Sequence, residues 1–295
     1  GRLGVAADDG AEGEDGVARA DGVCGECVGR AGDAGEAPDC GADSVLDGDV
    51  VGYNSFASKP AGQGLALFFE ITVAIVGDVD DQTGFVVNVV EIDRQVREHV
   101  VGIFSKTIRD KYRAGIHIDY AQINQLLIKS RDALAGKFGR AILSDLTLKL
   151  SPFRKIAIDC EDIKMSYFSE KFEFAAMHKL WNEEFSDEKN FEVFGKCANR
   201  TGHGHNYVLE ITVKMPTDDS NFCVGEFEKI IDENIIELID HKNLNADVDE
   251  FKKKNPTIEN ISSFAWSRIV GKFAGAKLHS VTVWETDKTS CTFYG

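Results

Sequence analysis

At 295 residues and 43% hydrophobic, the chain can bury one large core or two ordinary ones. Its formal net charge of −16 argues against a broad basic surface for nucleic acid. No stretch of eighteen apolar residues occurs, and no basic region followed by an apolar run opens the chain, so neither a membrane span nor a secretory signal is expected and the reading is a soluble, cytoplasmic protein.

Residues 1–50 hold thirteen Asp or Glu against three Arg, twelve Gly and no aromatic residue. Such a composition buries too little apolar area to offset its ordering entropy, so this segment is expected to be disordered or loosely attached. Cys24 and Cys27 have the spacing of half a zinc knuckle, but only Cys40 follows and no His is near, so an incidental pair is the better reading. The seven cysteines form no regular framework, and reduced thiols fit best.

From Gly64 the texture changes. Leu65 to Val76 is an apolar, β-branched run, residues 78–84 carry turn residues, and Phe85 to Val90 reads as a second strand of a hairpin. Ile92, Val96, Val100 and Ile103 stripe one helix over 91–104; Ile123, Leu126, Leu127, Leu134 and Phe138 stripe another over 121–138. Strands follow at 143–150 and 155–158.

The same order recurs further on. Tyr167 to Met177 reads as a strand ending in His178, and His203 to Val213 as the next, with Cys223 and Val224 marking a hairpin return. Phe227, Ile230, Ile231, Ile235 and Leu238 stripe a helix that runs into Asp240-His241. After Pro256, well placed to start a helix, a helix over 258–273 leads to strands at 280–284 and 291–294. Glu70-Ile71-Thr72-Val73 recurs as Glu210-Ile211-Thr212-Val213, and Gly136-Lys137-Phe138 as Gly271-Lys272-Phe273, at intervals of 140 and 135 residues. Agreement in order and offset points to an internal duplication, with one copy over 51–162 and the other over 163–295.

The second copy carries the chemistry. Residues two apart on a strand share a face, so His203 and His205 can hold one metal, with His178 supplying a third nitrogen. Three imidazoles around Zn²⁺ leave a coordination position open, as in catalytic zinc. Cys197 lies six residues before His203, close enough to bring a thiol to that position as a base, although a structural ligand or a buried apolar group would read the same. Asp240-His241 suits either proton exchange or capping of a helix end. Glu285 can accept two parallel hydrogen bonds from an amidine-like ligand edge, or be a surface carboxylate.

Phe174-Ala175-Ala176-Met177-His178, Phe194-Gly195-Lys196-Cys197, Gly202-His203-Gly204-His205-Asn206-Tyr207, Asp240-His241-Lys242-Asn243-Leu244, Pro256-Thr257-Ile258-Glu259-Asn260 and Glu285-Thr286 together resemble the 6-pyruvoyl-tetrahydropterin synthase family. The resemblance implies an α+β T-fold, an antiparallel sheet with two helices on one face whose subunits join into a barrel. It also implies zinc on His178, His203 and His205, a proton-transfer triad of Cys197, Asp240 and His241, Glu285 holding the pterin ring, and Thr257 and Glu259 lining the pocket. The implied reaction converts 7,8-dihydroneopterin triphosphate to 6-pyruvoyl-tetrahydropterin with loss of triphosphate. Met177 departs from the small polar residue usual before that histidine. The alternatives are the related 6-carboxy-tetrahydropterin synthase, which typically has a shorter cysteine-to-histidine interval, and a zinc-bearing pterin-binding protein with little turnover.

On the internal alignment, His203 and His205 fall on Gln63 and Leu65, Asp240 and His241 on Ser105 and Lys106, and Glu285 on Leu150. The first copy is therefore expected to keep the fold without a catalytic site. Because the family assembles its triad between neighbouring subunits, second copies are expected to meet second copies, for example in a homo-oligomeric trimer of chains.

Overall fold

The computed structural model describes residues 3–7, 24–27, 67–218 and 221–295. They divide into two compact units, one of Glu12–Phe168 with Met215–Ser220, the other of Gly1–Ala11, Ser169–Lys214 and Asn221–Gly295. Most of the acidic, Gly-rich segment lies outside the described residues. Two short strands within it, β1 (Leu3–Ala7) and β2 (Cys24–Cys27), each pair antiparallel with a sheet edge through backbone bonds, a mode of attachment that needs no apolar side chains.

The unit containing β2 continues with β3 (Leu67–Val76), helix α1 (residues 89–113), helix α2 (Tyr120–Leu134), β4 (Ile142–Lys149) and β5 (Arg154–Asp159). Its strands pair antiparallel in the order β5-β4-β3-β2. Phe69, Ile71, Val73 and Ile75 alternate into the core along β3, where Leu146, Leu148, Ile156 and Ile158 join them beneath Ile92, Val96, Phe104 and Leu127 of the helices.

The hairpin expected at 85–90 does not form. Asp80 takes the backbone N–H groups of Gln82 and Thr83 into a turn, and Asn88 accepts from Val90 N at 2.9 Å and opens α1. Phe85 and Val90 are more than half exposed, so the run has no buried face to make a strand worthwhile, and a capped helix start wins.

The other unit holds β6 (Met165–His178) from Ser169 on, α3 (Asp187–Phe194), β7 (His203–Pro216) as far as Lys214, α4 (residues 224–239), β8 (Lys242–Asn243), α5 (Leu244–Asp247), α6 (Ile258–Ile269), β9 (Lys277–Thr286) and β10 (Thr289–Phe293). Its strand order is β1-β10-β9-β7-β6, antiparallel along β1, β10, β9 and β7, with β8 making a short parallel bridge to β6. Cys223 and Val224, expected at a hairpin return, instead open α4, whose Phe227, Ile231, Ile235 and Ile239 are buried. α6 packs on β9 and β10. Both units are thus α+β, with helices laid on antiparallel strands.

The β4–β5 hairpin pairs Lys149 with Lys155 and Leu148 with Ile156; the β9–β10 hairpin pairs Trp284 with Ser290 and Val283 with Cys291, the same register 135 residues later. β4 skips Ser144 in its pairing with β3, and β9 skips His279 in its pairing with β7, again 135 apart. A π turn interrupts α1 at Arg97–Val101 and α4 at Asp232–Ile236, at that same interval. One detail departs from the sequence alignment. Glu70 pairs with Lys149, but Val208, not Glu210, pairs with Trp284, so the Glu-Ile-Thr-Val segments are two residues out of register. A two-residue slip preserves which face each side chain takes, which lets the pattern recur without equivalence. His203 and His205 then correspond to Leu65 and Leu67, which still offer no ligand.

Replacing Asn88 by Ala should lower the stability of the first unit by about 1 kcal/mol in a denaturant titration, the usual worth of a helix cap. Val90→Thr, at an exposed position of the same turn, should stay within about 0.5 kcal/mol. Equal effects would argue against a helix start at Asn88.

Candidate metal centre and active site

The site grows out of strand periodicity. Leu209, Ile211 and Val213 of β7 are fully buried, and Tyr207, His205 and His203 continue the same face toward the start of the strand. On β6, Phe174 and Ala176 face the core and His178 ends their row, 2% exposed. Phe174 and Tyr207 stack at 4.8 Å with their rings 10° apart, closing the core just below the histidines. The imidazoles therefore stand at the rim of a hydrophobic floor.

His178, His203 and His205 offer ligand atoms within 4.8 Å of one another, the grouping of metal-ligating type found among the described residues. His178 Nε2 lies 3.1 Å from His203 Nε2. The other ring nitrogen, Nδ1, is 2.8 Å from the carbonyl of Pro256; a carbonyl only accepts, so Nδ1 carries the proton and Nε2 presents a lone pair. Burial holds His178 below its ordinary pKa, with His203 acting the same way against the raising effects of Pro256 and Glu285. Burial, then His205, lowers His203 likewise. Neutral imidazoles are the form a metal ion requires. Nδ1 of His203 and Nε2 of His205 are buried with no hydrogen-bond partner, and such orphaned nitrogens beside a third fit a cation. With three imidazole nitrogens and no sulfur, the set suits Zn²⁺ or a neighbouring transition metal.

Gly202 has φ +74°, and a Cβ there would sit 2.9 Å from the His178 carbonyl oxygen. Only glycine lets the chain enter β7 this close to the end of β6. Asn245 fixes the exit from β6 in both directions, accepting from Lys179 N at 2.7 Å and donating to Lys179 O at 3.0 Å. Asn255 accepts from Trp181 N at 2.9 Å.

Glu285 lies at this centre. Its Oε1 is 3.4 Å from His205 Nε2 without hydrogen-bonding it, and 3.6 Å from His178 Nε2. Tyr207 is pushed well above the ordinary tyrosine range, by burial first and then by the Glu285 charge. Cys197 sits on the 3₁₀ turn Gly195–Ala198, whose Cys197 carbonyl accepts from Leu180 N at 2.9 Å, so the turn is tied to the residue two beyond His178. Burial, then Glu285, pushes its thiol up from the ordinary value.

Asp240 and His241 form a separate pair. Asp240 caps the C-terminal end of α4, taking Ala175 N at 2.8 Å on Oδ1 and His241 Nδ1 at 2.8 Å on Oδ2. His241 N donates to Ala175 O at 2.6 Å, and its φ of +54° is the only positive value at a non-glycine among the described residues. Its ring is 82% exposed. His241, His205 and Met177 line one cleft of about 450 Å³. Among the described residues, no hydrogen bond joins Cys197 to Asp240 or His241, so the three expected triad members do not assemble within these contacts. Thr257 N-caps α6, accepting from Asn260 N, and Glu259 lies in its first turn. The Pro256 carbonyl escaped sequence reasoning because its contribution is backbone. Tyr207 had a signal, since it continues the period-two row of the histidines.

A family model described as 6-pyruvoyl tetrahydropterin synthase matches residues 167–295. Over 130 residues the chain is 35% identical to the 6-pyruvoyl tetrahydrobiopterin synthase of Homo sapiens, covering 90% of that protein and 43% of this chain. The chain belongs to the 6-pyruvoyl tetrahydropterin synthase family. The Drosophila melanogaster 6-pyruvoyl tetrahydrobiopterin synthase is 36% identical over 135 residues, 80% of that protein and 44% of this one. The solved structure of the Caenorhabditis elegans 6-pyruvoyl tetrahydropterin synthase is 31% identical, with a TM-score of 0.42, and the match covers 96% of that chain and 44% of this one. Every residue of the family-like site lies within the matched stretch. No helix among the described residues is long and apolar enough to cross a membrane.

Two outcomes follow from this geometry. Gly202→Ala should separate β6 from β7 and weaken metal retention, read as cobalt or zinc per chain after dialysis, while Gly204→Ala, whose Cβ would meet nothing closer than 3.6 Å, should retain it. Asp240 has a folded pKa held below its ordinary value, first by Ala175 N–H and also by His241. The stability it contributes is present above the usual carboxylate range and is lost as pH falls toward that lowered value. Asp240→Asn should flatten the acid limb of a stability-versus-pH curve; an unchanged limb would mean that the pair contributes nothing to the fold.

Proposed function

We propose that residues 163–295 form a zinc-dependent 6-pyruvoyl-tetrahydropterin synthase, a carbon–oxygen lyase that converts 7,8-dihydroneopterin triphosphate to 6-pyruvoyl-tetrahydropterin and releases triphosphate. The observation that carries this reading is the convergence of His178, His203 and His205 at the rim of a core strand pair, inside the stretch that matches the family. A dication on these three nitrogens would polarise the hydroxyls of the substrate side chain and make the adjoining carbon-bound protons easier to remove.

The chain's own groups do the rest. His178 is oriented by Pro256 O, and the stacked Phe174 and Tyr207 exclude water from beneath the site. Cys197 accepts and returns the carbon-bound proton; its thiol, raised by burial and by Glu285, needs a cation beside it to ionise near neutral pH. Asp240 keeps His241 oriented as its proton-exchange partner. Because Cys197 makes no bond to that pair within the chain, a second copy supplies it, and the working form is a homo-oligomer in which second units meet, a trimer of chains in the simplest case. Glu285 then turns from the imidazoles to hold the pterin edge, and Thr257 and Glu259 line its pocket.

The first unit is read as a degenerate copy. The common 135-residue interval of the hairpin registers, the skipped residues and the π turns supports duplication. The positions of Asp240 and His241 fall on Ser105 and Lys106, inside α1, which runs on to Arg113 instead of stopping. The catalytic dipeptide is therefore missing in backbone as well as in side chain.

Metal analysis should give about one zinc per chain, lost in His203→Ala. Incubation with dihydroneopterin triphosphate should release triphosphate, and Cys197→Ala should reduce the rate by about 10²-fold or more. Zinc without triphosphate release would leave a pterin-binding protein, and a carboxy product with acetaldehyde would reassign the chain to 6-carboxy-tetrahydropterin synthase.

A further inference from the structure

The unit that lacks the histidine centre holds a cavity of about 260 Å³ of its own. Phe69 on β3, Leu148 on β4, Phe104 on α1 and Leu126 on α2 form its buried walls. Ile108, Ile118, Ile123 and Leu150 are part-exposed and mark its mouth, near the end of α1 and the start of α2. Every one of these side chains is apolar. A water molecule inside would need roughly two to four polar partners, which such walls do not offer, so the space suits an apolar occupant.

The cavity has a structural cause. In the other unit α4 stops at Ile239, and the stretch from there to α6 buries Leu244, Val248 and Phe251. Here α1 runs on to Arg113, and the connection to α2, residues 114–119, buries no side chain and sends only Ile118 to the cavity. Nothing in that connection does what Leu244, Val248 and Phe251 do in theirs, and close packing gives way to a void whose walls lack partners on one side.

Its position is informative as well. Glu70 pairs with Lys149 as Val208 pairs with Trp284, so the adjoining Phe69 and Leu150 hold the places that Tyr207 and Glu285 hold at the histidine centre. A phenol and a carboxylate are replaced there by a plain ring and a branched alkyl group. The same place thus has the opposite preference, since none of the lining side chains can ligate a cation or accept the N–H groups of a polar ring.

We infer that this cavity is a binding site for a small, neutral, apolar compound of one or two rings. An apolar cavity of about 150 Å³ already takes benzene, and the volume here leaves room for a second ring. A charged molecule would forfeit its hydration against walls that return nothing. The site is independent of the metal and of the lyase reading, because all its lining residues belong to the unit without the histidines.

Calorimetric titration of the full chain with toluene and with naphthalene, and with naphthalene-2-sulfonate as a charged match, tests the site. One saturable site per chain is expected for a neutral compound, with the sulfonate bound at least about tenfold more weakly. Leu150→Phe narrows the mouth from the sheet and Ile123→Phe from α2; either should weaken binding about tenfold or more with the circular dichroism spectrum unchanged, and the second serves if the first does not fold. Val79→Phe, at an exposed position outside the cavity, should bind as the unaltered chain does, and stripping metal with a chelator should leave binding intact. No saturable binding of either neutral compound would overturn the site. So would full binding by a folded Phe variant, equal affinity for the sulfonate, or loss of binding with the metal, which would move the ligand to the histidines.

Discussion

The bond from His178 Nδ1 to the carbonyl of Pro256 is the constraint on which the site turns. It fixes the ring's tautomer and orientation, and it also joins the end of β6 to the residue before α6. Three things meet at that bond: the buried row that ends in His178, the Asn255-Pro256 loop, and the capped start of a helix packed on β9 and β10. A buried imidazole whose second nitrogen lost this acceptor would forfeit an interaction worth about 1 kcal/mol, and would also be free to rotate its lone pair away from its neighbours.

Chemistry and packing share one face of the sheet. The row Tyr207, Leu209, Ile211, Val213 is fully buried, and toward the start of the strand it becomes the half-buried His205 and His203. The ligands thus inherit rigidity from the core without being enclosed by it. Asp240-His241 are placed by a different device: α4 stops at Ile239, and the next two residues hydrogen-bond to the backbone of Ala175 on β6. The positive φ of His241 is imposed by that abrupt change of direction.

Much of this was legible in the sequence, and the exceptions have physical causes. The His-x-His pair, the preceding His178 and the Asp-His at a helix end could be read because periodicity and adjacency set their placement. The strand expected over 85–90 failed because an apolar run does not say whether a face will be covered, and Asn88 offered a cap that settles the choice locally. Helix α3 and the β8 bridge were not foreseen, being short elements held by Ser186, Asn190 and the edge of β6 rather than by a long apolar stripe. The four-residue identity suggested a register that the strand pairing does not share, since a period of two is blind to slips of two.

The π turns reach further than their five residues. Each inserts one residue into a helix, which rotates everything beyond it by about 100° about the axis relative to an unbroken helix. In α4 the turn lies between the buried Phe227 and Ile231 and the end that delivers Asp240; in α1 it lies before Phe104, within a helix that delivers no such dipeptide. The irregularity therefore occurs both with and without an Asp-His pair at the end of its helix. Its cause is to be sought in the phase that a helix must keep to lay two successive stripes on a twisted sheet, and Asp240-His241 take their place from a bend of a kind that α1 also contains.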